Sequence, residues 1–99
     1  MISPGVGREV SFDRAIADRG LPVFMADGSV DGPPLSHERF HFQRKFVGHR
    51  DNDTTIRLDT LVRQAPDGDL ILQMDIEGGE YRALCAASPD TLQRFRVML

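Results

Sequence analysis

A single cysteine among 99 residues excludes two kinds of structure at once. Cys85 has no partner in the chain for a disulfide, and there is no thiolate cluster for a structural zinc. Long hydrophobic runs are missing as well. A membrane-spanning helix needs roughly 20 consecutive apolar residues, and the opening MISPGVGREV has neither the basic nor the apolar segment of a secretory leader. A cytoplasmic protein without a membrane partner is therefore expected. Basic residues are few for a nucleic-acid binder: twelve stand against fifteen acids, for a net charge of −3, and they are interleaved with the acids rather than gathered into a stripe. No nucleic-acid partner is expected. Repeats, low-complexity tracts and linkers are also lacking, so residues 1–99 are expected to form a single domain with one core. Cys85 lies in the apolar run ALCAA, which predicts a buried structural thiol.

What is present is an alternation of short apolar runs and helix-like segments. ISPGVG runs into two glycines spaced GxG. Ser11 is placed to cap a helix over FDRAIADR, where Phe12, Ala15, Ile16 and Arg19 recur at helical spacing and Gly20 closes the segment. LPVFMA then reads as a buried strand, completing a βαβ unit. After the loop DGSVDGPPLS comes FHFQRKFV, whose Phe40, Phe42 and Phe46 fall on alternate positions and predict one strand. GHRDNDTT reads as a loop, LDTLVRQ as a short amphipathic helix, and DLILQMDI at 69–76 as a central strand apolar on both faces. Gly78 to Ala87 reads as a helix. SPDTLQRF carries Ser and Pro suited to the cap and first turn of another, and RVML begins a last strand.

HERFH at 37–41 spells the pattern by which a helix presents two histidines and a glutamate to zinc. On a helix those imidazoles would lie about 6 Å apart. In a strand they are separated by about 13 Å and cannot share an ion. His41 belongs to the alternating segment, His49 follows it by eight positions rather than six, and Arg39 adds a cation beside the supposed metal. A zinc hydrolase is thus a remote alternative, and no metal is expected.

Three other features fall where an open α/β sheet binds ligands, at the carboxyl ends of adjacent strands. Gly5 and Gly7 form the turn after the first strand, where missing side chains admit a ligand close to the backbone. Asp27 ends the next strand about twenty residues on, a position from which a carboxylate accepts both hydroxyls of a ribose. Asp75 and Glu77 end the later strand in QMDIEGGEY. Val10 stands where a dinucleotide fingerprint wants a third small residue, which disfavours a nicotinamide enzyme.

The stretch LILQMDIEGGEYRAL resembles the signature of FkbM-like methyltransferases: a hydrophobic strand, then Lys, Ile or Val, Asp, an apolar residue, and EGAE followed by an aromatic. SPGVGREVSFDRAIADRG and VFMADGSVDGPP are similar to that group's glycine turn, helix and following strand end. The resemblance implies a Rossmann-like, mostly parallel α/β sheet of strand order 3-2-1-4-5. It also implies an S-adenosylmethionine cofactor, and methyl transfer to an oxygen of a small-molecule or glycan acceptor. Carried over by position, Gly5 and Gly7 would lie against the methionine portion of the cofactor and Asp27 would hold its ribose. Asp51 or Asn52, in RDNDTT, would meet the adenine edge. Asp75 would face the transferring methyl as the catalytic residue, and Glu77 would stand on the substrate side. Gln73 departs from the usual Lys and Gly79 from the usual Ala.

Glu80 has the spacing of a reciprocal helix cap and is assigned to structure. Tyr81 is expected to pack. Only Met1 to Ser3 precede the glycine turn, whereas a central strand supplies about five residues, and RVML stops inside the expected fifth strand. First and last strands truncated in this way predict a fragment of a larger methyltransferase. The alternative of another class is a non-catalytic α/β remnant serving as an interaction module.

Overall fold

VFMA has no polar face because both of its faces are covered. A computed structural model describes residues 1–6, 10–74, 76 and 79–99. In chain order its elements are β1 (Ile2–Pro4), α1 (Ser11–Asp18), β2 (Val23–Ala26), β3 (Phe40–Gln43), β4 (Phe46–Gly48), β5 (Thr55–Arg57), α2 (Leu58–Arg63), β6 (Leu70–Leu72), α3 (Glu80–Cys85), α4 (Pro89–Gln93) and β7 (Phe95–Met98). Five strands make one sheet in the order β3-β2-β1-β6-β7, while β4 and β5 pair only with each other. Every ladder among the described residues is parallel. With the separate pair set aside, the strands run 3-2-1-4-5, the order implied by the resemblance.

All four residues of β2 are buried, and they alternate between two layers. Phe24 and Ala26 join a cluster with Ile2, Leu58, Leu61, Val62, Leu72 and Ala83. Val23 and Met25 join Met1, Val6, Val10 and Ala17 on the α1 side, with Phe40, Phe42 and Ile71 packed against them. This two-sided burial is what a parallel sheet requires and what the unbroken apolar spelling predicts.

Several local expectations are corrected. Ser11 is the first helical residue rather than the cap: Val10 takes the cap position, with a non-helical φ of −129° and its carbonyl accepting the Arg14 N–H at 2.8 Å. FHFQRKFV is two strands, not one. The Lys45 N–H donates to the Gln43 carbonyl at 2.9 Å, closing a three-residue turn that sends Phe46 away from the main sheet. GHRDNDTT gives its last residue to β5. Cys85 is exposed rather than buried, and Tyr81 is 80% exposed rather than packed, because both lie on the face of α3 opposite the buried Ala83. Ser88 does cap α4 as expected, its Oγ accepting the Thr91 N–H at 3.2 Å. Gly20 closes α1 in the left-handed region, with φ of +88°.

The helical layer is fastened by Asp59. Its Oδ1 accepts the Ser88 N–H at 2.9 Å and its Oδ2 accepts from Arg57 Nη2 at 3.1 Å, while Arg57 Nη2 also donates to the Ala86 carbonyl at 2.9 Å. Burial by itself would raise the Asp59 pKa. The Ser88 N–H, the Thr91 hydroxyl and the Arg57 charge outweigh it and hold the carboxyl below its ordinary 3.8. A depressed carboxylate contributes stability that is fully present above its unfolded value and lost as pH falls through the folded one. Thermal melts are therefore expected to show stability falling from about pH 4 downward. Asp59→Ala should lose about 1–3 kcal/mol near neutral pH by stranding the Ser88 N–H, and its melting temperature should fall less steeply in acid. An acid slope equal to that of the wild type would remove Asp59 from this role.

Candidate functional site

The chain steps outward from β1 to β2 to β3, then returns to the other side of β1 with β6, so the order switches between β1 and β6. Ligands of open parallel sheets bind beyond the strand ends at such a switch. Gly5 turns the chain there with φ of +81°, a left-handed conformation that a side chain would strain. Its N–H donates to the Ala26 carbonyl at 2.9 Å, which fixes the turn against the end of β2. The next residue in β2's path is Asp27, 9% exposed, whose N–H donates to the Gln43 carbonyl at 3.2 Å. Asp27 Oδ1 accepts from the Ser29 N–H at 2.8 Å and from Ser29 Oγ at 2.6 Å. That turn sets the orientation of a group with about four lone-pair sites in all.

Gly28 carries a feature that the sequence reading missed. A Cβ placed on it would run into the Phe46 ring, so the ring lies directly on bare backbone beside Asp27 while remaining 55% exposed. The glycine immediately after the strand-end acid was the available signal. Its partner depends on the unforeseen turn at Lys45.

β6 contributes the other side of the switch. The Gln73 N–H donates to the Ile2 carbonyl at 2.9 Å and the Met74 N–H to the Leu99 carbonyl at 3.3 Å, so the strand's pairing continues past Leu72. Gln73 Oε1 is buried and accepts no hydrogen bond among the described residues. Gly7, Asp75 and Glu77, proposed from the sequence for the cofactor, the methyl and the substrate, lie outside the described residues. Glu80 Oε2 accepts the Ile76 N–H at 2.7 Å, in keeping with its structural assignment.

Asp51 and Asn52, expected from the resemblance at the adenine edge, make hydrogen bonds within and beside their own loop. Asp51 Oδ1 accepts the Arg57 N–H at 2.9 Å and Oδ2 accepts from Thr60 Oγ1 at 2.6 Å. The Thr60 bond, the Arg57 N–H and the charges of Arg57 and Arg63 hold this carboxyl below its ordinary value. Asn52 Oδ1 accepts the N–H groups of Thr54 and Thr55, both at 2.9 Å. Both side chains fold the loop that leads into β5.

In HERFH, His37 sits ahead of β3 and His41 within it, not on a helix. The His41 ring stacks on Phe24 of the neighbouring strand at 4.9 Å. His37 Nδ1 accepts the Arg39 N–H at 3.1 Å, which leaves Nε2 to donate to Asp18 Oδ1 at 3.0 Å. Among the described residues no cluster of His, Cys, Asp or Glu is arranged to hold a metal, and no helix is long and apolar enough to cross a membrane. An open cleft of about 190 Å³, bordered by Met1, Ile16, Leu21, Pro66 and Leu70, opens at the amino ends of the strands. It is on the wrong edge to belong to this site.

Neither a curated protein nor a solved structure matches the chain. A family model does: that of the methyltransferase FkbM domain, over residues 2–99. With that match over nearly its whole length and a mostly parallel sheet of the implied order, the chain belongs to the FkbM methyltransferase domain family.

Proposed function

We propose that the protein is an S-adenosylmethionine-dependent methyltransferase domain that acts on an oxygen of a small-molecule or glycan acceptor. The observation that carries this reading is the junction of two paired strands, where the left-handed Gly5 turn is hydrogen-bonded to the end of β2 beside the Asp27 carboxylate. Three features suit the cofactor. The Gly5 turn lets an amino-acid chain approach the backbone closely, Asp27 is placed to accept ribose hydroxyls, and the open face of Phe46 is an apolar platform for a purine. The cofactor supplies an activated methyl group; the protein supplies position and a proton acceptor. Asp75 is assigned to the acceptor's proton and Glu77 to the acceptor's side of the site.

Asp27 provides the direct test. Losing a charge-assisted hydrogen bond costs about 1.5–3 kcal/mol, so Asp27→Ala is expected to weaken S-adenosylmethionine binding by roughly one to two orders of magnitude. Titration calorimetry on the wild type and the variant reads this. Equal affinities would take Asp27 off the ribose, and a wild type that binds no S-adenosylmethionine would leave the interaction-module reading in its place.

A further inference from the structure

Among the described residues, the polar layer under the glycine turn holds an acceptor without a donor. Along β6, Leu70 and Leu72 and the following Met74 pack into the cluster beneath α2 and α3, whereas Ile71 packs on the α1 side. Strand alternation therefore puts Gln73 on the α1 side. The pair Ile2 and Leu72 sets the register between β1 and β6, so Gln73 lies beside Ser3, two residues before Gly5. Ser3, 3% exposed, donates its hydroxyl to the Asp13 carboxylate at 3.1 and 3.2 Å, and Asp13 itself is 2% exposed. Ser3 is thus satisfied. Gln73 Oε1, in the same layer, is buried without a donor among the described residues.

A buried amide carbonyl left without a donor is costly, and native structures seldom keep one unless a ligand or water completes it. Here it stands at the switch point, one level below the turn against which the cofactor's amino-acid end would lie. We propose that Gln73 Oε1 accepts a hydrogen bond from the ammonium group of that amino-acid end and so positions the cofactor along β6. This rests on the S-adenosylmethionine reading above. The choice of ammonium over carboxylate follows from the chemistry: a carbonyl oxygen accepts and cannot donate, so it fits an N–H donor and repels the oxygens of a carboxylate. A lysine at this position would reverse that preference.

The experiment compares binding by the wild type, Gln73→Met and Gln73→Lys, using calorimetry and four probes. These are S-adenosylmethionine, S-adenosylhomocysteine, decarboxylated S-adenosylmethionine, which keeps the amine and lacks the carboxylate, and methylthioadenosine, which lacks both. Both variants are expected to lose about ten- to a hundredfold in affinity for the first three probes. They should keep wild-type affinity for methylthioadenosine, which also reports that they are folded. An equal loss for methylthioadenosine overturns the proposal. So does a gain in affinity for S-adenosylmethionine on Gln73→Lys, or insensitivity confined to the decarboxylated probe, since either would place the carboxylate there instead. A wild type that binds none of the four sinks the cofactor reading itself, and this proposal with it.

Discussion

Leu72→Ala is expected to cost the protein about 2–5 kcal/mol, a large part of the roughly 5–15 kcal/mol by which small domains are stable. Leu72 is 1% exposed and sits in β6, between β1 and β7. Its side chain fills the layer made by Leu58, Leu61 and Val62 of α2 and Ala83 of α3. Truncation removes the transfer energy of the lost carbons and leaves a cavity. The backbone around it is pinned, since the Leu72 carbonyl accepts the Leu99 N–H at 2.9 Å while the neighbouring Gln73 N–H is tied to Ile2. A site that cannot collapse falls toward the upper end of the range. Ile71 is the internal control: one residue away, it faces the other layer, is only partly buried and borders the open cleft, so Ile71→Ala should cost less. Urea denaturation reads both as a lower midpoint at unchanged slope. An Ile71→Ala loss equal to that of Leu72→Ala would contradict the assignment of the two faces.

Asp75→Asn is expected to lower turnover by about 10²–10⁴-fold with cofactor affinity largely kept. In an in-line methyl displacement the protein's work is to hold the acceptor oxygen in a near-attack position, and an alcohol gains further from a carboxylate that takes its proton as the new bond forms. Asp75 follows β6, the strand hydrogen-bonded to the one that carries the glycine turn. Asparagine preserves the size and most of the hydrogen bonding but cannot take a proton, so the loss should appear in kcat and leave the S-adenosylmethionine dissociation constant nearly unchanged. Glu80→Gln is the contrasting variant. Its carboxylate already serves the Ile76 N–H, and the substitution should lower the melting temperature while sparing kcat. Normal turnover by Asp75→Asn on the true acceptor would reduce Asp75 to a residue that leads into α3.

The parts of the fold legible in the sequence were those written in a single segment's own period. VFMA is apolar throughout because a central parallel strand has no wet face, and Phe40 and Phe42 alternate with His41 because only one side of β3 meets the α1 layer. The turn at Lys45 was not legible: it interrupts an alternation that the next phenylalanine resumes, and only the hydrogen bond to Gln43 shows that the resumed strand belongs elsewhere. Tyr81 and Cys85 read as packing residues because their spacing with Ala83 does not say which face of a short helix the sheet will cover. At the site, Gly5 and Asp27 could be paired from their separation in the chain. The Phe46 ring on Gly28 and the unsatisfied Gln73 carbonyl could not, since each exists only once strands distant in sequence have come into register. Asp51 and Asn52 were legible as polar loop residues, but not as the groups that fold their own loop.

Because every ladder among the described residues is parallel, these strands cannot zip up as hairpins, and each ladder must wait for a loop or helix to be crossed. Ile2, wholly buried in the finished protein, pairs with Leu72, far along the chain. During synthesis the central strand therefore emerges long before one of its two flanks exists. Topologies of this kind, with high contact order, fold on the order of milliseconds to seconds rather than microseconds, and unpaired apolar strands are aggregation-prone in the interval. The arrangement that brings the carboxyl ends of these strands to one edge of the sheet also makes β1 dependent on the much later β6 for one of its flanks.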